Sequence, residues 1–533
     1  MVFQYQAVTL PRKITSRQSH ALHDVAATRL MEQRAQSSLP EPSLMQRAGL
    51  ATARLALALA PHAQEIWIAC GPGNNGGDGF ETALVLKRLG KSVTLTWTGH
   101  GLADAKQPRD ALRARERAQA AGLQISAHPP ARFDLAVDAL LGIGGALKPD
   151  KPCSALMADW LQQMDAALQA GAHLLCVDVP TGLDADSGVM RTLHPDSSAT
   201  HRQCASPELR HTLSLLTLKP GLFTADGRDW AGQVWLDDLG ISAPPDILPC
   251  AHLQGQDRLH TGRSPGPHAS HKGSYGDVAV LGGETLPGPQ NESGTGSIRS
   301  SMAGAALLAA RAALQAGAGR VYVALLGTDG PLNDGMQPEL MFRSPQALDL
   351  AQQVLVCGCG GGKSIRNYLP AVLSNAKKLV LDADALNAIA EDIHLRTLLV
   401  ARAGRGYATV LTPHPLEAAR LLKVGTAEVQ ADRRRAAQTL ATQMNCVVLL
   451  KGSGSVIAAP GRTPVINHSG NAWLATAGTG DVLAGAVGAA LARGLDAWTA
   501  AAQSCFRHGQ VADQWPGNEA SLTASRLAER LRP

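Results

Sequence analysis

The chain has 533 residues, a length that at roughly 150 residues per domain implies two large domains or three ordinary ones. Hydrophobic residues make up 45% and charged residues 17%, a globular composition that excludes a mostly disordered chain. The net charge is only +5, aromatics are 4% and no long Lys/Arg run occurs, so no nucleic-acid partner is expected.

The first twenty residues lack the apolar core of a secretory signal. The most apolar stretches, near 304–326 and 482–493, are interrupted by Arg311 and Arg320 or are too short to span a bilayer. Nine cysteines without a C-x-x-C pair argue against a disulfide framework or a zinc site. A cytoplasmic protein without membrane contact is expected.

In chain order, short apolar runs at 65–70, 92–97, 133–138, 173–178 and 212–218 read as buried strands. Between them, 79–90, 105–121 and 154–170 carry the Ala/Leu spacing of helices. Residues 186–210 read as a loop, and prolines at 244, 245, 249, 265 and 267 mark a break. The predicted organisation is an N-terminal domain over 1–250, a linker over 251–270 and a C-terminal domain over 271–533. The second half repeats the style, with strands at 277–282, 320–326, 353–357, 378–382, 408–412 and 446–450, and 286–300 reads as an exposed, mobile insertion. Alternation of this kind predicts the α/β class, with two three-layer α/β/α domains built on parallel sheets.

Strand 65–70 runs into GPGNNGGDGF, where Gly71, Gly73 and Gly76 satisfy G-x-G-x-x-G between a strand and a helix. The following strand ends on Trp97 and Thr98 rather than an acid, which speaks against dinucleotide binding in the dehydrogenase manner. What remains is a helix N-terminus flanked by Asn74, Asn75 and Asp78, suited to an anion or a polar ligand. Two later strands end on Asp138 and Asp178, the first followed by a glycine loop and the second by Pro180, Thr181 and Gly182. Ligands of open α/β sheets bind at such strand ends, and two carboxylates beside amide and hydroxyl oxygens suit a monovalent cation or an acid–base pair.

In the second half, Gly478-Thr479-Gly480-Asp481 opens a helix of small apolar residues. Its amides and dipole suit an anion, and Asp481 is placed as a base. Lys451-Gly452-Ser453-Gly454-Ser455 at a strand end reads as a nucleotide-phosphate hairpin. Gly362-Lys363-Ser364 imitates the end of a P-loop, but Cys357 stands where the Walker spacing needs glycine. His414, between Pro413 and Pro415, is either a ligand contact or a turn residue, and Glu417, Asp382, Asp384 and Asn387 are either caps or supporting site residues.

Together these motifs resemble the bifunctional NAD(P)H-hydrate repair enzymes, an epimerase fused to an ADP-dependent dehydratase. The resemblance covers nearly the whole chain. It rests on GPGNNGGDGF, DALLGIGGALK and VDVPTGLDADSG in one half. In the other it rests on HKGSYGDVAVLGG, LDADALNAIA, LTPHPLEAARLL, the KGSGS hairpin and AGTGDVLAG. It implies a Rossmann-like N-terminal domain and a ribokinase-like C-terminal one. For the epimerase half it implies substrate contacts at Asn74, Asn75, Gly76, Gly77 and Asp78, at Gly142, Ile143, Gly144, Gly145, Ala146, Leu147 and Lys148, and at Asp178. It also implies a potassium site at Asn75, Asp138 and Thr181, with Asp178 exchanging protons. For the dehydratase half it implies substrate contacts at Ala305, Gly362, His414 and Asp481. Adenine nucleotide (ADP or ATP, with Mg2+) would bind at Lys451 through Ser455 and Gly480. A homo-oligomer is expected. The competing reading is a ribokinase-like small-molecule kinase with an N-terminal ligand-binding domain. Departures from the pattern are the 286–300 segment, Leu416 in place of glycine and Cys359 in place of proline.

Overall fold

The computed structural model describes residues 10–39, 41–100, 107–191, 208–259, 268–290, 296–327, 334–517 and 520–533. The chain divides into two compact units, one of Met1–Thr15 and His20–Ala251, the other of Ser16–Ser19 and His252–Pro533. Among the described residues no helix is long and apolar enough to cross a membrane.

The first unit opens with α1 (Val25–Ser38) and α2 (Leu44–Leu59) and continues as β1 (Glu65–Cys70), α3 (Asn74–Arg88), β2 (Ser92–Trp97), α4 (Arg109–Ala120) and β3 (Leu135–Ala139). It ends with α5 (Pro152–Gln169), β4 (His173–Val177), β5 (Arg210–Leu215) and β6 (Gln233–Asp237). The sheet runs β2-β1-β3-β4-β5-β6 with all neighbours parallel, and Arg12–Lys13 adds an antiparallel edge against β6. These strands are nearly continuous apolar runs because helices cover both faces of the sheet.

Helix α3 begins at Asn74, well before the 79–90 read from the sequence. Glycine disfavours helix, so NNGGDG looks like loop, but here the tertiary fit decides. A Cβ on Gly76 would lie 1.9 Å from the Gly71 carbonyl oxygen, and one on Gly79 would lie 2.7 Å from Ala139 Cβ. The glycines therefore let the helix start pressed onto the strand ends.

The second unit contains β7 (Ala251–Gln254), β8 (Asp277–Gly282), α6 (Ala303–Gln315), β9 (Arg320–Leu325), β10 (Val354–Cys357), β11 (Lys378–Leu381) and α7 (Ala383–Glu391). It continues through β12 (Ala408–Leu411), α8 (Pro415–Leu422), β13 (Val447–Leu450), β14 (Val456–Ala458), β15 (Val465–Asn467), α9 (Thr479–Ala492) and α10 (Ala497–Asp513). The order β9-β8-β10-β11-β12-β13 is parallel throughout, β14 and β15 follow antiparallel, and β7 lies parallel to β15. Residues 251–254, expected as the start of a linker, are thus a strand whose apolar members Ala251 and Leu253 are fully buried. Residues 192–207 and 260–267 lie outside the described residues. The expected 286–300 insertion contains two antiparallel strands, Thr285–Gln290 and Gly296–Ser301, with 291–295 also outside the described residues.

Small side chains set the position of α9. A Cβ on Gly485 would sit 2.0 Å from the Ala309 carbonyl oxygen of α6, and one on Gly488 would sit 2.5 Å from Val356 of β10. The helix lies flat on the sheet, with its first turn at the carboxyl ends of the strands.

Candidate active sites

In the first unit β1 sits between β2 and β3, so connections leave it in opposite directions and a crevice opens beyond its carboxyl end. A cavity of about 630 Å³ occupies it, lined by Asn74, Asn75 and Asp78 of α3, by Gly142, Ile143, Gly144 and Gly145, and by Asp178. Five residues expected at the substrate do not line it. Gly76 and Gly77 are packing positions, since a Cβ on Gly77 would meet Met45 Cε at 2.6 Å. Leu147 packs into the core with Trp160 and Leu140, Ala146 is exposed, and the Lys148 amide donates to Ser154 Oγ at 3.0 Å.

Asp178 follows β4 in the left-handed region, φ 68°, a conformation disfavoured for a side chain larger than glycine. Its carboxylate takes a hydrogen bond from the Leu215 amide at 3.2 Å and an ion pair from Lys219, whose side chain is fully buried. Lys219 Nζ also donates to the Leu215 carbonyl at 2.7 Å. The acids nearby feel one another. Burial, then the charges of Asp178, Glu32 and Glu81, raise Asp78 well above the ordinary carboxylate range.

Asp138 ends β3, 1% exposed, and accepts from Thr181 Oγ1 at 2.7 Å, the Thr181 amide at 3.0 Å and the Leu140 amide at 3.2 Å. Burial raises it despite these bonds. Asn75 is buried with an unpartnered Nδ2, and its amide lies 3.3 Å from where a Cβ on Gly142 would be. The donor set of carboxylate, hydroxyl and amide oxygen fits a monovalent cation, whose charge would relieve the buried Asp138.

In the second unit the switch falls at β8, between β9 and β10, and the site gathers at the carboxyl ends of β10 to β13. Lys451, just after β13, places Nζ 2.7 Å from Asp382 Oδ1 at the end of β11. Asp382 stands at the N-cap position of α7 without a capping bond; its carboxylate belongs to the lysine. Opposite, one reactive atom each of Cys359, Asp382 and Asp481 falls within 4.8 Å of the others. Burial, reinforced by Asp382, lifts Asp481 to about 6. Burial works against the Lys451 charge, but Asp382 and Glu417 outweigh it and raise that ammonium.

Gly478, φ 89°, turns the chain into α9, and a Cβ on Gly480 would lie 3.3 Å from Lys451 Nζ, so the helix start and the lysine hairpin are adjacent. Buried His508 anchors that turn through a 2.9 Å contact between Nε2 and the Thr479 carbonyl. Gly362, φ 53°, has its amide on Asp384 Oδ2 at 2.9 Å, and a Cβ there would strike Glu284, which also accepts from the Ser364 amide at 2.9 Å. Ala305 lies beside this loop, 3.0 Å from where a Cβ on Gly360 would be. His414 is the N-cap of α8. Its Nδ1 accepts from the Leu416 and Glu417 amides at 3.1 and 3.3 Å, leaving Nε2 as the protonated nitrogen, 3.2 Å from Glu417 Oε1. Burial raises Glu417 to about 7.

The structure therefore brings Asp481, Lys451, Gly480 and Asp382 into one cluster and adds Asp382 as the residue that orients the lysine. In the first unit it adds Lys219, which the sequence reading passed over; the signal was a lysine closing the apolar run 212–218.

Two units built on parallel sheets, each with polar residues at the carboxyl ends of its strands and one with a helix start suited to an anion beside a lysine and a carboxylate, place the chain among α/β proteins with sites at the strand ends. A family model described as NAD(P)H-hydrate dehydratase matches residues 296–533, and one described as YjeF-related protein N-terminus matches 41–221. A bifunctional NAD(P)H-hydrate repair enzyme of Coxiella burnetii is 34% identical, over 93% of this chain and 95% of its own length. Its counterpart in Escherichia coli is 35% identical over 88% and 84%. An ADP-dependent (S)-NAD(P)H-hydrate dehydratase of Neisseria meningitidis is 36% identical over 54% of this chain and 97% of its own. Among solved structures, the ADP/ATP-dependent NAD(P)H-hydrate dehydratase of Bacillus subtilis, co-crystallised with ATP and Mg2+, is 27% identical over 51% of this chain and 92% of its own, with a TM-score of 0.40. The chain belongs to the bifunctional NAD(P)H-hydrate repair enzymes, which join an epimerase to a dehydratase.

Proposed function

We propose that the second unit dehydrates the S hydrate of NADH or NADPH with ADP as phosphoryl donor, giving AMP and phosphate, and that the first unit interconverts the R and S hydrates. The observation that carries the reading is the cluster of Asp481, Lys451 and Asp382 at the start of α9. Phosphoryl transfer needs an anion pocket and a carboxylate facing the hydroxyl. The amides of 478–481 and Lys451 receive the phosphates, and Asp481 takes the C6 hydroxyl proton as that oxygen is phosphorylated. The C6–O bond then breaks as phosphate leaves, the ring-nitrogen lone pair forms C6=N, and loss of a C5 proton to water gives the C5=C6 double bond and returns the pair to nitrogen. Asp382 holds Lys451 in place. A magnesium ion bound with the nucleotide would neutralise phosphate charge. Of the clustered residues, Asp382 is paired with Lys451 and Cys359 offers a soft sulfur, so the hard oxygens such an ion prefers would come from the phosphates.

In the first unit Asp178 faces the C6 hydroxyl, and Asn75, Asp138 and Thr181 would hold potassium, ordering the loops that carry them. The test is one coupled assay: mixed hydrates of NADH with ADP or ATP, followed by recovery of reduced-nicotinamide absorbance and of both epimers. Complete consumption of R and S with AMP formation is expected when ADP is the donor. Accumulation of a stable phosphorylated compound would make the chain a kinase instead.

A further inference from the structure

One wall of the first-unit cavity is α1, and the family model for this unit, beginning at residue 41, does not reach it. The helix is docked firmly. Thr28 Oγ1 lies 2.7 Å from Thr217 Oγ1, two residues before Lys219, and the Val25 amide donates to Asp186 Oδ1 at 2.9 Å. Thr28, Met31 and Ala35 are its buried stripe. A second stripe at i, i+3 and i+7, Arg29, Glu32 and Gln36, lines the cavity. Among the described residues none of these three has a hydrogen-bond or ion-pair partner within the chain. Arg29 and Gln36 are exposed and Glu32 is half-buried, so this row presents polar side chains at the cavity.

We propose that Glu32 is the second proton-transfer residue of the epimerisation, working with Asp178, and that Arg29 one turn earlier positions the substrate. This rests on the epimerase reading of the first unit. Arg29 Nη2 lies 2.6 Å from where a Cβ on Gly144 would be, so its guanidinium covers the second glycine loop and faces the anionic end of a dinucleotide. The groups facing Glu32 are Asp178, Asp78, Lys219 and Arg29; burial and then Asp178 raise it, which Lys219 and Arg29 oppose, so it keeps a proton to higher pH than an ordinary glutamate. Asp178 is ion-paired with Lys219. Two carboxyl groups in such different settings divide the roles of acid and base.

The hydrated ring carries its hydroxyl on C6 beside the ring nitrogen. Glu32 gives its proton to that hydroxyl, the C6–O bond breaks, the nitrogen lone pair forms a C6=N bond and water leaves. Water then adds to C6 from the other face, its oxygen forms the new C–O bond, the C=N pair returns to nitrogen, and Asp178 takes the released proton. Solvent exchange resets the two carboxyls, and no oxidant or reductant is involved.

The experiment uses the full chain with resolved R and S hydrates of NADH, following epimer ratio by chiral separation across pH 5–9. Glu32→Gln is expected to lower kcat about 100-fold or more with KM within about threefold, and to remove the limb of the pH profile that wild type shows. Glu32→Asp is expected to recover part of the rate, and Arg29→Ala to raise KM about tenfold while kcat is kept. Melting curves and substrate titration of Glu32→Gln separate chemistry from folding. A Glu32→Gln protein with wild-type kcat and pH profile overturns the inference alone, whereas a wild-type chain that does not epimerise overturns the epimerase reading beneath it.

Discussion

Replacing Asp382 by Asn tests the electrostatics of the second unit directly. Asp481 is lifted from the ordinary 3.8 to about 6, by burial first and by the Asp382 charge second. Removing that charge leaves the burial contribution, so Asp481 falls back by roughly one unit. If the ionised carboxylate is the base, the acid limb of dehydration moves with it. At pH 5.5 about a quarter of Asp481 is ionised with a value near 6 and about three quarters with a value near 5, so the rate at pH 5.5 relative to pH 7.5 rises about threefold. The same change strips Lys451 of its anion, and the pair is largely buried, with side-chain exposures of 18% and 2%. A stability loss of about 1–3 kcal/mol accompanies it, together with a higher KM for ADP. The assay is the initial rate of NADH recovery under saturating hydrate from pH 5 to 8, normalised within each protein. An acid limb that stays near 6, or moves upward, refutes the role given to the Asp382 charge.

Gly76→Ala places a methyl group 1.9 Å from a backbone oxygen that cannot move aside, so the first unit is expected to melt about 5 °C lower, and an unchanged melt would refute the packing role of that glycine. Glu417, raised to about 7, binds a proton in the folded chain that the unfolded chain releases near its ordinary 4.5. Its contribution is therefore complete below about 4.5 and is lost as pH rises through 7, up to about 3 kcal/mol; Glu417→Gln should flatten denaturant stability between pH 5 and 8. Exchanging potassium for tetramethylammonium should slow epimerisation at least about tenfold in wild type, and Asp138→Asn should abolish the difference between the two salts.

Strand positions were readable because both sheets are parallel and covered on both faces: runs such as 65–70 and 277–282 are uninterrupted apolar segments, and the structure returns the same bounds. The helical course of NNGGDG was not readable, since it depends on the fit of Gly76 onto the Gly71 carbonyl and of Gly79 onto Ala139, at a strand end distant in the sequence. The lysines were harder still. Lys219 meets Asp178 across 41 residues and Lys451 meets Asp382 across 69, and no local spacing announces such pairs. Asp382 instead carries the look of a helix cap, the commonest use of an acid before a helix. His414 shows the reverse: it caps α8 through Nδ1 while its other edge stays half exposed beside Glu417. The α1 stripe was hidden because a polar i, i+3, i+7 row on a short helix reads as solvent-facing.

Glu284 sits at the root of the antiparallel pair 285–301 and makes three bonds there, two to the cysteine-glycine loop and one to the returning chain. Its amide donates to the Gly360 carbonyl at 2.6 Å, its carboxylate takes the Ser364 amide at 2.9 Å, and its carbonyl receives the Met302 amide at 2.9 Å where the pair returns. Loop and ribbon base are thereby tied through one residue: truncating the Glu284 side chain removes the Ser364 contact and leaves the two backbone bonds, to Gly360 and Met302, in place.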